Sequence, residues 1–490
     1  MPAARRLVAS PALLALGAIV LLGGVLRFAT LDLQSYRYDE AVTAGRVLVA
    51  SLPGTMHRVW TSESTPPLYY LVAWGWSHLF GVREVGLRSL SALFGTATVP
   101  VACLAGRELL DRRTGLAAGA IVAVSPILVW YSQDARAYAL LVLLSAAALV
   151  FFFRALRTGA ARDLGWWAAF SALALASHYF AVFPMAIEAA LLAARVRPLR
   201  RLGWALAAIA AAGLALSPIA LHQAQGTNND WIGSSSLAGR LHDAAIAFLA
   251  GEEALLKHAA IPGLLCASAV ALLLWRGGAE ERRAAGLSAA VGVGGIALAI
   301  ASAALGPDYV LGRNLLPALL PLALVVAVGT ATRRAGRVGL AVLAALVAYL
   351  LAFDVYADFH PALQREDWRA AAAAIGAPRV PRAIVAYEQG GEPLSFYLGH
   401  GEREAKWKSW RRSPVPVAEV DVVSGRPPPP GARTLPPGFR EVERRTLGRM
   451  TLLRYRAPAP VLLRWGQLEN SFTGYRRNVV LLDGPGTPRR

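Results

Sequence analysis

Residues 7–40 read LVASPALLALGAIVLLGGVLRFATLDLQSYRYDE, in which an uncharged apolar run precedes a pair of adjacent acids. The run, residues 7–26, matches the roughly 20 residues that cross a bilayer. It is too long for the apolar part of a removable signal peptide, and it lacks a small-residue cleavage site. The sequence therefore predicts a retained membrane helix over residues 8–28, with Asp39 and Glu40 just outside it.

Apolar runs of similar length recur almost to residue 356, and 56% of the 490 residues are hydrophobic. We therefore predict a mainly α-helical chain, a polytopic transmembrane bundle of about 11–13 helices. A further run, residues 66–80, is short and begins with two prolines, which favours an interfacial or re-entrant helix. The predicted helices cover residues 8–28, 85–106, 114–131, 137–156, 164–180, 181–194, 203–224, 258–275, 287–305, 313–330 and 338–356.

The chain is strongly basic, with a formal net charge of +19. Its arginines form short clusters between the apolar runs, a distribution that orients membrane helices. We therefore exclude nucleic acid as a partner and expect contacts with membrane lipids. The two cysteines, Cys103 and Cys266, lie inside apolar runs, and no disulfide framework is predicted.

Arginine clusters in short loops mark the cytoplasmic side of a membrane protein. With the amino terminus inside, all clusters share that side only if residues 66–80 do not cross the bilayer, because a full crossing would reverse every later loop. The predicted topology puts the first loop, residues 131–136, residues 306–313 and everything after residue 356 on the outer face. The clusters are residues 107–113, 154–162, 195–201, 276–283 and 333–337.

The composition changes to mixed polar and basic sequence after residue 356. We predict a transmembrane catalytic domain of residues 1–356, with an outer loop at 29–65, and a soluble outer domain of residues 357–490. Short β-prone runs and one helical run indicate a small α/β or α+β fold for the second domain. The predicted strands are residues 383–387, 420–423, 450–455 and 461–465, and the predicted helix is residues 393–398.

The outer loop carries residues suited to acid–base chemistry beside a lipid-borne substrate. Adjacent acids on a helix point in different directions, so only one of Asp39 and Glu40 need act as a base. We select Asp39 and keep Glu40 as a second catalytic candidate or supporting group. A merely solvated surface loop is the alternative. Candidate substrate-binding residues in or next to this loop are Arg37, Tyr38, His57, Arg58, Glu63 and Tyr69.

A second polar cluster, residues 131–138, reads YSQDARAY between two apolar runs. Asp134 is a catalytic candidate, and Gln133 and Arg136 are candidate substrate-binding residues. An acid and a guanidinium there are suited to ordering a catalytic loop or binding a donor phosphate. An ion pair that solvates a helix connection is the alternative.

Two further residues are candidates for substrate binding. Arg313 lies in the stretch YVLGRN, residues 309–314, where a guanidinium can clamp a lipid-linked phosphate or extend to lipid headgroups. His178 lies between two short apolar runs, where histidines more often serve as buried hydrogen-bonded groups than as ligands or bases.

The spacings of familiar metal sites are missing from the sequence. There is no His-x-x-x-His, Cys-x-x-Cys or close Asp-x-Asp, so no structural zinc is predicted. A divalent cation held by Asp39 and Asp134 is left open, because oxygen ligands can converge from distant loops. No Gly-rich nucleotide loop supports an ATP-driven pump.

Several motifs together resemble the bacterial branch of the dolichyl-phosphate-mannose-protein mannosyltransferase family, and more broadly the polytopic glycosyltransferases with the C-type fold. Their order and spacing carry the resemblance, which covers roughly residues 8–370. The motifs are Tyr38-Asp39-Glu40-Ala41, Pro66-Pro67-Leu68-Tyr69-Tyr70, Ser132-Gln133-Asp134-Ala135-Arg136-Ala137-Tyr138-Ala139-Leu140, His178-Tyr179-Phe180, Gly312-Arg313-Asn314-Leu315-Leu316-Pro317 and Glu366-Asp367-Trp368-Arg369.

The resemblance implies a multi-pass enzyme of the bacterial plasma (inner) membrane, with its active site and terminal domain on the outer face. It implies transfer of a sugar, with inversion, from a polyprenyl-phosphate-linked donor to an acceptor protein, lipid or glycan. Asp39 would be the base, and Asp134 would orient donor or acceptor. Arg136 and Arg313 would balance the charge of the leaving phosphate.

One position departs from the family pattern. Relatives often place His or Lys before the two prolines, where this chain has Ser64 and Thr65. A basic phosphate contact is missing there, and His57 or Arg58 is the proposed substitute. The lipid A aminoarabinose transferases resemble this chain in layout. Because the basic residue is missing, they are a poorer match in substrate.

The alternative function is a transporter or flippase of lipid-linked sugars without transferase activity. Transporters tend to bury charges near the bilayer midplane and to show repeated halves, whereas these charges collect on the predicted outer face. A receptor-like or scaffold protein is a third reading, which would leave Asp39 and Asp134 dispensable. The transferase is the leading hypothesis.

Overall fold

The chain divides into two compact units. The first, called the membrane unit, comprises Met1–Leu31, Val49–Gly81 and Val85–Tyr356. The second, called the terminal unit, comprises Asp32–Leu48, Val82–Glu84 and Ala357–Arg490. The acid-bearing part of the first outer loop therefore belongs to the terminal unit. The computed structural model describes residues 11–226, 231–306, 308–399, 414–425, 437–469 and 478–485.

The long helices follow the predicted apolar runs, because a helix satisfies its own backbone hydrogen bonds inside a bilayer. Residues 8–10 of the first predicted helix lie outside the described residues. The helices are α1 (Pro11–Phe28), α2 (Tyr38–Val42), α3 (Leu52–Ser62), α4 (Leu68–Phe80), α5 (Glu84–Leu109), α6 (Arg112–Ala123), α7 (Pro126–Ser132), α8 (Tyr138–Thr158), α9 (Ala161–Ser177), α10 (Val182–Arg195), α11 (Leu199–Ala224), α12 (Leu237–Ala250), α13 (Leu256–Arg276), α14 (Ala279–Leu305), α15 (Leu319–Ala331), α16 (Gly336–Asp358), α17 (Trp368–Ile375), α18 (Gly391–Tyr397) and α19 (Trp465–Glu469).

Within the described ranges, eight helices are long and apolar enough to cross a membrane, and the bent pair of α6 and α7 raises the number to nine. The predicted total also counted shorter segments, which correspond to α4, α9 and α10 with 13, 17 and 14 residues. At a rise of about 1.5 Å per residue, α4 extends only about 20 Å, short of the roughly 30 Å hydrocarbon core. The chain is a multi-pass membrane protein.

A bend of 60° between α6 and α7 replaces the single helix expected over residues 114–131. Pro126 has no N–H, so the carbonyl of Val122 loses its α-helical donor. Arg27 supplies a replacement, since its Nη2 donates to the Val122 carbonyl at 3.0 Å and its Nη1 to the Ala123 carbonyl at 2.8 Å. This fully buried guanidinium satisfies the carbonyls that the bend leaves without donors.

Glycines allow α5 and α6 to pack closely. A Cβ atom at Gly119 would overlap the Cys103 Sγ, and one at Gly115 would lie 2.5 Å from the Cys103 carbonyl oxygen. Small residues at such contacts let membrane helices approach one another. A side chain at either glycine would therefore separate the two helices.

A five-stranded sheet forms the centre of the terminal unit, in the order β3-β4-β2-β1-β5. Strands β1 and β2 are parallel, and the other neighbours are antiparallel. Helices α17 and α18 pack on one face and α19 on the other, which buries every residue of β1. Helices on both faces make this an α/β unit. The strands are β1 (Arg382–Tyr387), β2 (Val415–Ser424), β3 (Arg440–Leu447), β4 (Met450–Leu463) and β5 (Asn478–Asp483).

The prediction of two strands at residues 450–455 and 461–465 is wrong, because they form the single 14-residue strand β4. Pro458 and Pro460, between the two predicted runs, lie where the β2–β4 register shifts, and a missing N–H is tolerated at such a point. Strand β3 was not predicted because its sequence, REVERRTL, is mostly charged. Charged residues are common on edge strands, where they discourage pairing with other chains.

Candidate functional site

The predicted acid pair lies in the first turn of α2, in the terminal unit. Glu40 is fully buried, and its Oε2 accepts hydrogen bonds from the Arg365 Nη1 at 2.8 Å and the Arg37 backbone N–H at 3.1 Å. Asp39 is partly exposed. The two acids therefore have different surroundings, with Glu40 in a buried ion pair and Asp39 accessible to solvent.

A segment after α16 holds this acid-bearing loop in place. Ser35 Oγ donates to the Glu366 carbonyl at 2.7 Å and accepts from the Trp368 backbone N–H at 2.9 Å. These contacts give the motif at residues 366–369 a structural role within the terminal unit. The motif anchors the loop that carries Asp39.

Tyr38 is half-buried in the terminal unit beside an ion pair between Arg46 and Glu392, whose atoms are 3.0 Å apart. Burial, together with the nearby Glu392 carboxylate, raises the pKa of Tyr38 above its ordinary value. A tyrosine is protonated at neutral pH in any case, and the raised pKa keeps this phenol protonated at still higher pH. It is therefore available as a hydrogen-bond donor next to Asp39 in the sequence.

In the membrane unit, Arg136 forms a buried ion pair with Glu63. The Arg136 Nη1 lies 2.8 Å from the Glu63 Oε2, which also accepts a hydrogen bond from the Tyr70 hydroxyl at 2.5 Å. Thr65 Oγ1 lies 3.1 Å from the same hydroxyl. The residues on either side of the two prolines are thereby joined to the cluster at residues 131–138, and Glu63 orients the Arg136 guanidinium.

Gln133 faces the carboxyl end of α1. Its Nε2 donates to the Leu26 carbonyl at 3.0 Å and to the Thr30 Oγ1 at 2.8 Å. The amide predicted to bind substrate thus fastens its own loop to α1. Asp134, the next residue, is buried with 3% of its surface exposed.

His178 directly follows α9 and is buried. Its Nδ1 accepts a hydrogen bond from the Phe180 backbone N–H at 3.2 Å. Burial first, and then the positive charges of Arg313 and Arg136, lower the pKa of His178 to about 3. The imidazole is therefore neutral at physiological pH. Arg136 and Arg313, which are far apart in the sequence, both lower the pKa of this side chain.

We expect His178→Gln to reduce the acid sensitivity of the protein. An unfolded histidine takes up a proton near pH 6.5, whereas the folded state keeps His178 neutral until about pH 3. The stability from this group is thus present above about pH 6.5 and is lost as the pH falls toward 3. Thermal unfolding midpoints should decline more steeply in this range for the wild type than for the variant. His57→Gln, on an exposed residue, is the control, and equal slopes for wild type and His178→Gln would contradict the expectation.

Arg313 opens the short 3-10 segment Gly312–Ala318 in the membrane unit. Its guanidinium carbon lies 5.7 Å from the centre of the Trp231 ring, which is itself 47% exposed. A guanidinium over an indole face is a favourable cation–π contact. The neighbouring Asn314 donates to the Tyr309 carbonyl at 2.7 Å, which holds the start of the segment.

Sequence reasoning missed the ion pair that orders the loop before Arg313. Arg240 of α12 pairs with Asp308, with 3.0 Å between Nη1 and Oδ1, and donates to the Val310 carbonyl at 2.6 Å. The hydrogen bond from Arg240 lowers the pKa of Asp308. A pair between residues so distant in sequence has no local signature.

Gln223, at the end of α11, was also missed. Its Nε2 donates to the carbonyls of Val59 and Thr65, each at 3.1 Å, and its Oε1 accepts from the Tyr179 hydroxyl at 2.9 Å. The buried amide of Gln223 therefore connects Val59 of α3, Thr65 before the two prolines, and Tyr179 after His178. A glutamine within a predicted apolar helix was the available signal.

The remaining candidates lie on α3 and α4. His57 is exposed and Arg58 is half-buried on α3. Tyr69 is fully buried, with its ring centre 5.6 Å from that of Tyr70. Tyr69 therefore packs in the interior of the membrane unit, whereas His57 is accessible.

Among the described residues, no group of three or more His, Cys, Asp or Glu side chains is arranged to hold a metal ion.

Residues 64–222 match the model of a family described as dolichyl-phosphate-mannose-protein mannosyltransferase. The matched stretch includes Asp134, Arg136 and His178. No curated protein sequence matches this chain. Over these residues, the resemblance inferred from the motifs is confirmed.

Two solved structures of ArnT from Cupriavidus metallidurans are similar in fold. The apo state has a TM-score of 0.56 at 14% identity, covering 90% of this chain and 98% of that chain. The structure bound to undecaprenyl phosphate has a TM-score of 0.56 at 14% identity, covering 91% and 98%. The predicted fold, a polytopic helical bundle with a small α/β or α+β domain at the carboxyl terminus, is confirmed.

Proposed function

We propose that this chain, with its C-type fold and its family match over residues 64–222, is a membrane glycosyltransferase. It moves a hexose or pentose from a polyprenyl-phosphate-linked donor to a hydroxyl of a protein, lipid or glycan. The undecaprenyl phosphate bound to ArnT supports a donor of this lipid class.

The proposed reaction is a single displacement that inverts the anomeric carbon. Asp39 takes the proton of the acceptor hydroxyl, whose oxygen forms a bond to that carbon. The bond from the carbon to the phosphate oxygen breaks, and the polyprenyl phosphate leaves with the electron pair. Arg136 and Arg313 stabilise the charge that develops on the phosphate, and Asp134 orients donor or acceptor.

The convergence of Arg136 and Arg313 on His178 is the observation that carries this proposal. Both guanidinium charges lower the pKa of this one imidazole, which supports a shared location for Arg136 and Arg313 in one region of the membrane unit. Glu63 holds Arg136 in a fixed orientation, and a pre-organised guanidinium suits a phosphate oxygen. A lipid-linked phosphate is the ligand that such a region favours.

Reconstitution tests the proposal. The purified full-length protein is placed in liposomes with a radiolabelled pool of polyprenyl-phosphate sugars and extracted envelope acceptors. We expect label to move into an acceptor that no longer extracts with the lipid donor. Label that crosses the bilayer on its lipid without transfer would support a flippase and overturn the transferase.

The proposed orientation puts the connection between α11 and α12 outside and the end of α8 inside. Ser235 and Thr158 are exposed at these two places, which makes cysteine labelling practicable. An impermeant maleimide should label Ser235→Cys in intact cells, and Thr158→Cys only after permeabilisation. The parent protein corrects for labelling of the two native cysteines. The reverse pattern would overturn the orientation.

A further inference from the structure

A carboxyl group lies inside the helix bundle, away from the residues considered so far. Glu188 of α10 is 5% exposed, and its Oε2 accepts a hydrogen bond of 2.7 Å from the Nε1 of the fully buried Trp167 on α9. Apart from this hydrogen bond, the described part of the chain offers Glu188 no polar partner. Intramembrane acids normally pair with a cation or line a polar cavity.

Glu188 lines a cavity of about 20 Å³ between α8, α9, α10, the segment Gly312–Ala318 and α15. Two serines, Ser145 of α8 and Ser171 of α9, also line it, and its other walls are apolar. Ser171 is 2% exposed, and its Oγ has no hydrogen-bond partner in the described structure. The cavity therefore brings a carboxyl and an unsatisfied hydroxyl together.

The charge of Glu188 follows from these surroundings. Among the described residues, no Lys, Arg or His lines the cavity, and Glu188 is the single titratable residue among them that does. Helix α14 contacts α10 through Gly294 and Gly295, which face Ile187 and Pro184. An isolated buried carboxylate costs several kcal/mol, which a proton removes. A neutral carboxylic acid is therefore the favoured form.

The volume and the polar groups define the ligand. About 10–15 Å³ of such space is enough for one water molecule, provided that two to four polar partners surround it. A protonated carboxyl supplies one donor and retains acceptor capacity, and each serine hydroxyl can donate and accept. We propose that Glu188 is a neutral acid that shares one bound water molecule with Ser171 and Ser145.

This site has a structural consequence for the membrane unit. Leu316 and Pro317, from the segment that begins next to Arg313, form part of the cavity wall. The water and the acid fasten α9 and α10 beneath that segment. Loss of the site should therefore loosen the backbone that carries Arg313.

Infrared spectroscopy of the full chain tests the protonation. The wild type at neutral pH should show the C=O stretch of a protonated carboxylic acid, shifted in D₂O, and Glu188→Gln should lack it. Glu108→Gln removes a carboxylate already paired with Arg154 and Arg157, and it should leave the band unchanged. A band that persists in Glu188→Gln, or is missing from the wild type, would overturn the proposal.

Thermal unfolding gives a second readout. The unfolded chain releases the Glu188 proton at about pH 4.3, whereas the folded state keeps it, so the wild-type midpoint should fall more steeply than that of Glu188→Gln as the pH rises from about 4 to neutral. Ser171→Ala should lower the midpoint at every pH, because it removes a partner of the water. If the wild-type midpoint is higher in sodium chloride than in choline chloride, and Glu188→Gln abolishes this difference, the site holds a bound cation. That result would overturn the proposal of a neutral acid.

Discussion

The Asp39→Asn variant should transfer sugar roughly 100- to 10,000-fold more slowly than the wild type, which is the usual contribution of a general base. Asparagine keeps the size and hydrogen-bonding shape of the side chain but cannot accept the acceptor proton at neutral pH. Asp39 is partly exposed in the first turn of α2, so the substitution buries no new polar group. The rate of labelled product formation in liposomes is the measurement.

Two comparisons make this result specific. Asp32→Asn changes an exposed acid in the same unit, and the contact from Arg369 to Asp32 uses the backbone carbonyl, so transfer should be unaffected. The thermal unfolding midpoint of Asp39→Asn should equal that of the wild type. A variant that retains transfer within about twofold would remove Asp39 from the mechanism.

Glu40→Ala should lower the free energy of unfolding of the terminal unit by about 3–5 kcal/mol. Glu40 is fully buried and the Arg365 side chain is 3% exposed, so the substitution leaves a guanidinium charge buried without its 2.8 Å partner. The backbone N–H of Arg37 also loses its acceptor. The measurement is the unfolding midpoint of the purified full-length protein. A probe placed within the terminal unit monitors the unfolding.

The double substitution Glu40→Leu with Arg365→Met should recover much of this loss, because a buried apolar pair can replace a buried ion pair. Arg444→Ala, which breaks an exposed pair with Glu441, should leave the midpoint unchanged. A stable Glu40→Ala variant that has lost transfer would contradict the supporting role and make Glu40 a catalytic residue.

The membrane helices were predictable from the sequence because burial in lipid requires long apolar runs, and these are visible without structural context. The bend in the membrane unit and the charged edge strand of the terminal unit were not predictable in this way. The bend at Pro126 depends on Arg27, which the sequence shows only as the charge that ends the first apolar run. In the terminal unit, β3 escaped prediction because its charged side chains suit a strand edge rather than a buried core.

The candidate residues could be selected from the sequence, but their neighbours in space could not. Asp39, Asp134, Arg136 and Arg313 stood out as polar groups next to apolar runs. The contacts of Arg136 with Glu63, and of Arg240 with Asp308, join residues 73 and 68 positions apart. Such pairs depend on which helices are neighbours, and periodicity along a chain carries no information about that.

Because Asp32–Leu48 belongs to the same compact unit as Ala357–Arg490, the terminal unit is discontinuous in the chain. A chimera that exchanges only the carboxyl-terminal part with a relative would separate Glu40 from Arg365 and Ser35 from Trp368. An exchange intended to alter acceptor choice should therefore carry the amino-terminal insert along. Genetic recombination between such proteins would face the same constraint, since a single crossover after α16 supplies an incomplete folding unit.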